Sequence, residues 1–170
     1  MSSPDVHVQE KTLLEIKVNT PPQNPAYRSC TWAEFLIDPY EKRVIITSDG
    51  GDMNYQWQKV SEENTPRDFY KFLTGLNRDY LLCKLSQPSV FDFDKTIDAL
   101  LKIATDPRLR YALEQARPFF SEYEFATWYM SQPGTHSDDL EAIRMDYPSG
   151  HKAAVDLFIQ CVQPVIAKML

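Results

Sequence analysis

Four aspartates stand in two pairs that could hold a divalent cation. Asp49 and Asp52 flank two glycines, while Asp92 and Asp94 lie on either side of Phe93. Hard cations prefer carboxylate oxygens as ligands, and such a cation could align a phosphate and a water molecule for hydrolysis. Both pairs also fit an ordinary role, since Asp-Gly-Gly-Asp is typical of a tight turn and a carboxylate before a helix caps its free N–H groups. We favour the ordinary role at both places, so no metal site is predicted.

A third cluster combines an imidazole with three carboxylates. His136 is followed by Asp138, Asp139 and Glu141, which together are the material for metal binding or proton transfer. A Pro-Gly pair precedes the cluster, so Ser137 is predicted to cap a helix whose first turn carries the acids. Because acids at this end of a helix are stabilised by its dipole, no catalytic residue is predicted here.

The remaining reactive side chains show no catalytic pattern. His7 and His151 have no partner nearby in the sequence, and a lone histidine is usually solvated or hydrogen-bonded. Cys30, Cys83 and Cys161 lie far apart, which favours free thiols in a reducing compartment. The five glycines form no phosphate-binding Gly-x-Gly-x-x-Gly or Walker pattern. We therefore expect a non-enzymatic protein without a cofactor.

Composition favours one folded core with an acidic surface. The chain has 170 residues, of which 43% are hydrophobic and 25% charged, and its formal net charge is −6. A negative field repels nucleic-acid phosphate and anionic lipid, so we expect no direct binding to nucleic acid or membranes. The same field favours a partner with a basic surface. The sequence lacks a signal-peptide pattern and an apolar run long enough to cross a bilayer, so a cytoplasmic location is expected.

Hydrophobic periodicity divides the chain into a mostly β region, 1–62, and a mostly α region, 63–170. Alternation and turn residues predict four strands, at about 12–18, 29–37, 43–48 and 53–60. Capping residues and apolar stripes predict helices that begin near Pro66, Asn77, Thr96, Pro107 and Ser121, and a last helix over about 150–168 with a bend at Pro164. The predicted fold class is α+β, with an N-terminal four-stranded, mainly antiparallel sheet followed by five to seven helices packed on it and on each other. One domain is predicted over 1–170, and a helical subdomain over 106–170 is left open.

Aromatic side chains are the best candidates for contacts with a partner. Six of them crowd between two prolines, namely Phe119, Phe120, Tyr123, Phe125, Trp128 and Tyr129. Such a cluster is either an exposed binding patch or part of the core, and we expect most of it to be core. The partner-binding residues predicted from the sequence are Asp49, Asp52, Tyr55, Trp57, Asp138, Asp139 and Glu141.

A sequence pattern in the first half of the chain resembles a family of uncharacterised bacteriophage and prophage proteins. The pattern runs Trp-x-Glu-Phe-x-Ile-Asp, Ile-x-Ser-Asp-x-Gly, Tyr-x-Trp, Phe-Leu and Asp-Tyr-Leu-Leu-x-Lys-Leu. The residues that carry it are Trp32, Glu34, Phe35, Ile37, Asp38, Ile46, Ser48, Asp49, Gly51, Tyr55, Trp57, Phe72, Leu73, Asp79, Tyr80, Leu81, Leu82, Lys84 and Leu85. The resemblance covers less than half of the chain and brings no catalytic motif. It implies a phage accessory protein that is made inside a bacterium.

Three hypotheses for function remain. The favoured one is a phage-encoded or prophage-encoded, non-enzymatic factor that inhibits a host defence complex, such as a CRISPR effector, by occupying a basic surface. Its partner would be a host protein or ribonucleoprotein. One alternative is a metal-dependent hydrolase or nuclease that uses the clustered carboxylates, and another is a phage structural or assembly component. The oligomeric state is left open.

Overall fold

The computed structural model describes residues 11–170. Four antiparallel strands come first and seven α-helices follow within that range, so the predicted α+β class is confirmed. The described residues form two compact units. The first unit comprises the chain up to Gln87 together with Ser149–Leu170, and the second unit is Pro88–Pro148. The single domain over 1–170 and the helical subdomain over 106–170 stay predictions.

The first four strands form one sheet in the order β1-β2-β3-β4. Their bounds are β1 Leu14–Asn19, β2 Trp32–Asp38, β3 Arg43–Ser48 and β4 Met53–Gln56. The register places Ile16 opposite Phe35 and Phe35 opposite Ile46, and Met53 continues this row on β4. Phe35 and Ile46 are fully buried. Since successive side chains of a strand point to opposite faces, this row marks the face of the sheet that lies on the core.

Two strand boundaries differ from the prediction. Strand β2 begins at Trp32 because the chain before it forms a short 3₁₀ helix, Pro25–Arg28, which Asn24 caps by accepting from the Ala26 N–H. Strand β4 ends at Gln56 because the opposing strand β3 has no further residue to pair with. One further backbone hydrogen bond follows, from the Trp57 N–H to the carbonyl of Lys42 in the turn between β2 and β3.

The helices are α1 Pro66–Thr74, α2 Arg78–Leu85, α3 Phe93–Ile103, α4 Pro107–Glu114, α5 Glu122–Met130, α6 Ser149–Leu157 and α7 Gln163–Met169. In the first unit, the ring of Phe158 packs edge-on against Phe35 of the sheet, with centroids 5.8 Å apart. The ring of Trp57, just after β4, packs against Phe69 and Phe72 of α1. These contacts seat the helices on the apolar face of the sheet.

The predicted last helix is interrupted. A π-helical turn, Phe158–Val162, separates α6 from α7. Pro164 has no N–H to donate to the carbonyl four residues earlier, so a wider turn before it keeps the helix continuous. The side chain of Gln163 then donates to the carbonyls of Leu73 and Leu76 at 2.8 Å, which ties the start of α7 to the end of α1.

Helix α1 begins with the predicted capping box. The Asp68 N–H donates to the Thr65 hydroxyl oxygen at 3.2 Å, and the Asp68 carboxylate accepts from the Thr65 N–H at 3.0 Å. We expect Thr65→Ala to lower the free energy of unfolding by about 1 kcal/mol, because a free N–H at the helix start loses its acceptor. Urea denaturation measures the change. Thr65→Ser keeps the hydroxyl and should stay close to the wild type; equal loss in both variants would contradict the capping role.

The second unit is built from α3, α4 and α5, a 3₁₀ helix, Ser137–Ala142, and a two-stranded ribbon. The ribbon pairs β5, Val90–Phe91, with β6, Met145–Asp146. Both strands have only two residues, and this length gives no periodic signal in the sequence. The core of the unit consists of Leu100, Leu109, Leu113, Phe125, Tyr129 and Ala142.

Candidate functional site

The aromatic cluster over 119–129 divides between core and surface. Ser121 caps α5 by accepting from the Glu124 N–H at 3.2 Å, as its sequence predicts. This start turns Phe125 and Tyr129 inward, where they are 0% and 1% exposed. The ring of Phe119 packs inward against Phe125 at 5.7 Å between centroids. Most of the cluster is therefore core.

Two members of the cluster point the other way. Phe120 is 99% exposed and Tyr123 is 80% exposed. Phe120 lies in the loop before α5, and its chain neighbour Phe119 is anchored in the core. A phenyl ring that is almost completely in water gains nothing for the fold, since hydrophobic stabilisation scales with the apolar area removed from water.

These two rings border an open groove of about 450 Å³ on the second unit. Its lining residues are Ser89, Val90, Phe91, Phe120, Ser121, Glu122, Tyr123 and Met145. Val90 and Met145 come from the facing strands of the ribbon and are 48% and 37% exposed. We call this surface the aromatic groove. It presents apolar side chains from the ribbon, from the loop before α5 and from the first turn of α5.

Carboxylates accompany the aromatic groove. Glu122 lines it, and Glu124 is exposed on the same first turn of α5. Residues 88–148 contain eleven acidic and six Lys or Arg side chains, a difference of −5, whereas the whole chain carries −6. Most of the net negative charge of the protein therefore belongs to the unit that carries the groove.

The predicted pair Asp49 and Asp52 serves the turn between β3 and β4. The Asp49 carboxylate accepts hydrogen bonds from the Thr31 hydroxyl, from the Thr31 N–H at 2.9 Å and from the Trp32 N–H at 3.2 Å. These hydrogen bonds lower the pKa of Asp49, and the bond from the Thr31 hydroxyl has the largest effect. Asp52 accepts from the Ser48 N–H at 3.2 Å. Both carboxylates thus join neighbouring strands.

The predicted partner-binding aromatics of β4 lie at the edge of the core. Trp57 is buried, and its indole N–H donates to the Tyr80 hydroxyl at 3.1 Å. Tyr55 is half-buried and packs edge-on against Trp57, with centroids 4.8 Å apart. The Lys84 ammonium lies 5.4 Å from the centre of the Tyr55 ring, a cation–π distance. Tyr55 is thus partly accessible, whereas Trp57 is part of the core.

The cluster that begins at His136 is also partly structural. Asp139 accepts from the Tyr129 hydroxyl at 2.8 Å and from the His136 N–H at 2.9 Å. Burial, together with the nearby Asp139 carboxylate, raises the pKa of Tyr129. The predicted cap Ser137 is instead the first residue of the 3₁₀ helix, because Asp139 reaches back to the preceding residue, His136. Asp138 and Glu141 are exposed.

Asp92 caps α3, accepting from the Lys95 N–H at 3.0 Å, and Asp94 lies in the first turn of the helix, so the role predicted for these carboxylates at the helix start is confirmed. The Lys95 ammonium, 2.9 Å away, and the Lys95 N–H lower the pKa of Asp92. The helix begins at Phe93 rather than near Thr96, because the cap is Asp92 and not Asp94. Over residues 11–170, no three His, Cys, Asp or Glu side chains come together as a group that could hold a metal ion.

His151, which has no partner nearby in the sequence, has one in the fold. Its Nδ1 atom lies 2.6 Å from the hydroxyl oxygen of Ser86, a hydrogen bond across 65 residues. The ring packs on Gly51, where an added Cβ would lie 2.5 Å from Nε2 and where φ is +116°. This position therefore requires glycine. The other lone histidine, His7, lies outside the described residues.

Burial of His151 predicts a loss of stability in mild acid. Desolvation lowers the pKa of His151 below its ordinary value of 6.5, and the nearby Asp52 opposes this only in part. As the pH falls, His151 of the unfolded chain is therefore protonated before His151 of the folded chain. The free energy of unfolding is unaffected by this residue above pH 6.5, and it decreases as the pH drops from 6.5 to the lowered pKa. Urea denaturation at a series of pH values measures this loss.

A matched pair of variants assigns the effect. His151→Gln should flatten the dependence of unfolding free energy on pH below pH 6.5, whereas His136→Gln, at an exposed histidine, should retain the wild-type slope. The same slope in all three proteins would contradict a lowered pKa of the half-buried His151.

The aromatic groove was only partly visible in the sequence. The cluster over 119–129 signalled it, but periodicity could not separate Phe119 from its neighbour Phe120. No sequence pattern indicated Val90 and Met145, since their strands are brought together only by a ribbon of two residue pairs. The acids Asp138, Asp139 and Glu141 belong to the same unit as the groove, whereas Asp49, Asp52, Tyr55 and Trp57 belong to the other unit.

Comparison with known proteins places the chain. Within the described part of the chain, no helix is both long and apolar enough to cross a membrane. No curated protein and no solved structure matches the chain. The model of one family, described as a phage family, matches residues 6–168. This match covers nearly the whole sequence, and the chain therefore belongs to this phage family.

Proposed function

We propose that this phage protein is a non-enzymatic binding factor that docks on a host protein or ribonucleoprotein through its aromatic groove. The observation that carries the proposal is the exposure of Phe120 and Tyr123, at 99% and 80%, beside the open groove. Large aromatic side chains with few rotatable bonds are the typical anchors of protein interfaces. Anchors held in place by a rigid neighbour such as Phe119 lose little entropy on binding.

Charge favours a basic partner. Residues 88–148 contain eleven acidic and six basic side chains, so this unit carries most of the net negative charge of the chain. Glu122 and Glu124 stand beside the anchors, as polar rim residues do in known interfaces. Complementary charge increases the rate of association and excludes acidic competitors. Binding should therefore weaken as salt is added.

The kind of partner that fits best is a host defence complex, with a CRISPR effector as the leading candidate. Such effectors hold nucleic acid in a positively charged channel, which an acidic protein can occupy in its place. Phage membership gives the setting in which blocking a host defence is useful. Three of the carboxylates considered for a hydrolase, Asp49, Asp92 and Asp139, accept hydrogen bonds from the protein's own backbone, which supports a structural role for them.

The test is inhibition of purified, guide-loaded CRISPR effectors. Increasing amounts of the protein, added before target DNA, should inhibit cleavage until one chain is present per binding site on the effector. An effector that has already bound DNA should not be inhibited. Glu122→Gln combined with Glu124→Gln should weaken inhibition and reduce its dependence on salt. Unchanged cleavage by every effector of a susceptible host, at large excess of the protein, would overturn the CRISPR assignment.

A further inference from the structure

Strand β1 is an edge strand with a usable outer side. Within residues 11–170 it pairs with β2 and with no other strand. Its burial alternates, with Leu14, Ile16 and Val18 half-buried and the residues between them exposed. An edge strand presents unpaired N–H and C=O groups, which are a template for pairing with another strand.

Hydrogen bonds identify which groups face outward. The Thr20 N–H donates to the Thr31 carbonyl at 2.8 Å, and this pair continues the register in which Val18 faces Ala33. Antiparallel strands alternate between bonded and non-bonded pairs. The even-numbered residues of β1 therefore bond to β2, and the N–H and C=O groups of Glu15 and Lys17 point away from it.

The sequence of β1 is self-complementary about Ile16. If two copies of the strand run antiparallel with Ile16 on a two-fold axis, Glu15 of each copy lies opposite Lys17 of the other. Opposite charges in such a pair are favourable and like charges are not. Moving the axis to Glu15 would oppose two glutamates, and moving it to Lys17 would oppose two lysines. Charge thus selects one register.

The other face of the strand agrees with that register. Leu14 would lie opposite Val18 of the second copy, and the two Ile16 side chains would meet on the axis. Ile16 would form a non-bonded pair, in which facing side chains approach most closely. The core-facing row of Ile16, Phe35 and Ile46 would then continue from one sheet into the next. In this register the side chains on both faces of the strand and the outward backbone groups all find partners.

A lysine on an edge strand often serves to prevent pairing. Here the Lys17 ammonium lies 3.0 Å from Glu15 and 3.5 Å from Glu34 of its own chain and is 63% exposed. In the symmetric pair it would stand between Glu34 on one side and Glu15 of the second copy on the other. The Lys17 charge would be paired with these carboxylates, so it does not oppose the pairing of the two strands.

We propose that two copies of this chain associate through β1 in the Ile16-centred register, which joins their sheets into one. Each Glu15 and Lys17 pair exchanges two backbone hydrogen bonds, and the two-fold axis generates the pair twice. A six-residue strand is a small interface, so the dissociation constant is expected to be on the order of 100 µM.

Sedimentation of the full chain, from about 1 µM to about 1 mM, tests the proposal. The wild type should show a monomer–dimer equilibrium. Glu15→Lys gives strands that oppose only lysines, and Lys17→Glu gives strands that oppose only glutamates. Each variant alone should raise the dissociation constant about tenfold or more, since two pairs become repulsive. An equimolar mixture should recover the wild-type value, because every lysine again faces a glutamate.

Glu62→Lys and Lys59→Glu are the matched controls. They make the same changes of net charge at exposed positions outside β1 and should leave the equilibrium unchanged. Circular dichroism checks that all variants fold. A wild type that stays monomeric at every concentration overturns the proposal. Dimers that ignore both β1 variants, or a mixture that does not recover, overturn it equally.

Discussion

Replacing Phe120 and Tyr123 together by serine is expected to abolish partner binding and leave the fold intact. Truncating an interface anchor typically costs about 2 kcal/mol or more, so losing two costs about 4 kcal/mol or more and weakens binding by roughly a thousandfold. The fold should tolerate the change, because Phe120 is 99% and Tyr123 80% exposed. Substitutions at such positions usually change stability by less than about 0.5 kcal/mol.

Calorimetric titration of the partner, with thermal unfolding of each variant, measures both quantities. Tyr111→Ser is the matched control, since Tyr111 lies in the same unit, is 67% exposed and does not line the aromatic groove. It should bind like the wild type. Equal affinity of the Phe120 and Tyr123 double variant and the wild type would show that the anchors of binding lie elsewhere.

Gly150→Ala is expected to destabilise the first unit by about 3 kcal/mol, the largest single effect on stability that we expect. A Cβ atom at Gly150 would lie 2.0 Å from the carbonyl oxygen of Gly50 and 2.5 Å from its Cα. Both neighbours are backbone atoms, so relief requires α6 to move away from the turn between β3 and β4. The same turn carries Gly51, on which the His151 ring packs.

Urea denaturation and thermal unfolding measure the loss, with a fall of roughly 6–12 °C in Tm for a chain of this size. Gly75→Ala is the control, because a Cβ there meets only the Phe72 carbonyl, at an ordinary 3.7 Å. That variant should match or exceed the wild type, since alanine restricts the unfolded chain. If the two alanine variants were equally stable, the close contact between α6 and the turn would be wrong.

Local chemistry made much of the fold predictable. Asp38 accepts from the N–H groups of Tyr40 and Glu41 at 2.9 Å, as its turn sequence indicates. The caps Thr65 and Ser121 bond to residues three positions away. In each case the donor and the acceptor lie within a few residues, so a short window of sequence contains the whole interaction.

Contacts between distant residues could not be predicted in this way. Ser86 and His151 are 65 positions apart, and the contact between Gly50 and Gly150 spans still more of the chain. The aromatic groove depends likewise on the pairing of Phe91 with Met145. Composition names such residues, but only the fold brings them together. The exposure of the rings of Phe120 and Tyr123 likewise follows only from the fold.

Self-association through β1 bears on the alternative of a phage assembly component. A two-fold contact uses the same patch on both copies and closes at two subunits. Shells and tubes need contacts between unlike surfaces that continue from copy to copy. A β1 dimer therefore fits a binding factor better than a building block, and each dimer carries two aromatic grooves.

Affinity capture from a lysate of host bacteria, at physiological salt, tests the binding function most directly. The immobilised wild type and Tyr111→Ser should retain one protein or ribonucleoprotein in stoichiometric amount, identified by mass spectrometry and released by added salt. The double variant Phe120→Ser with Tyr123→Ser should retain none of it. No stoichiometric partner on the wild type, or the same partner on all three proteins, would contradict binding through the aromatic groove.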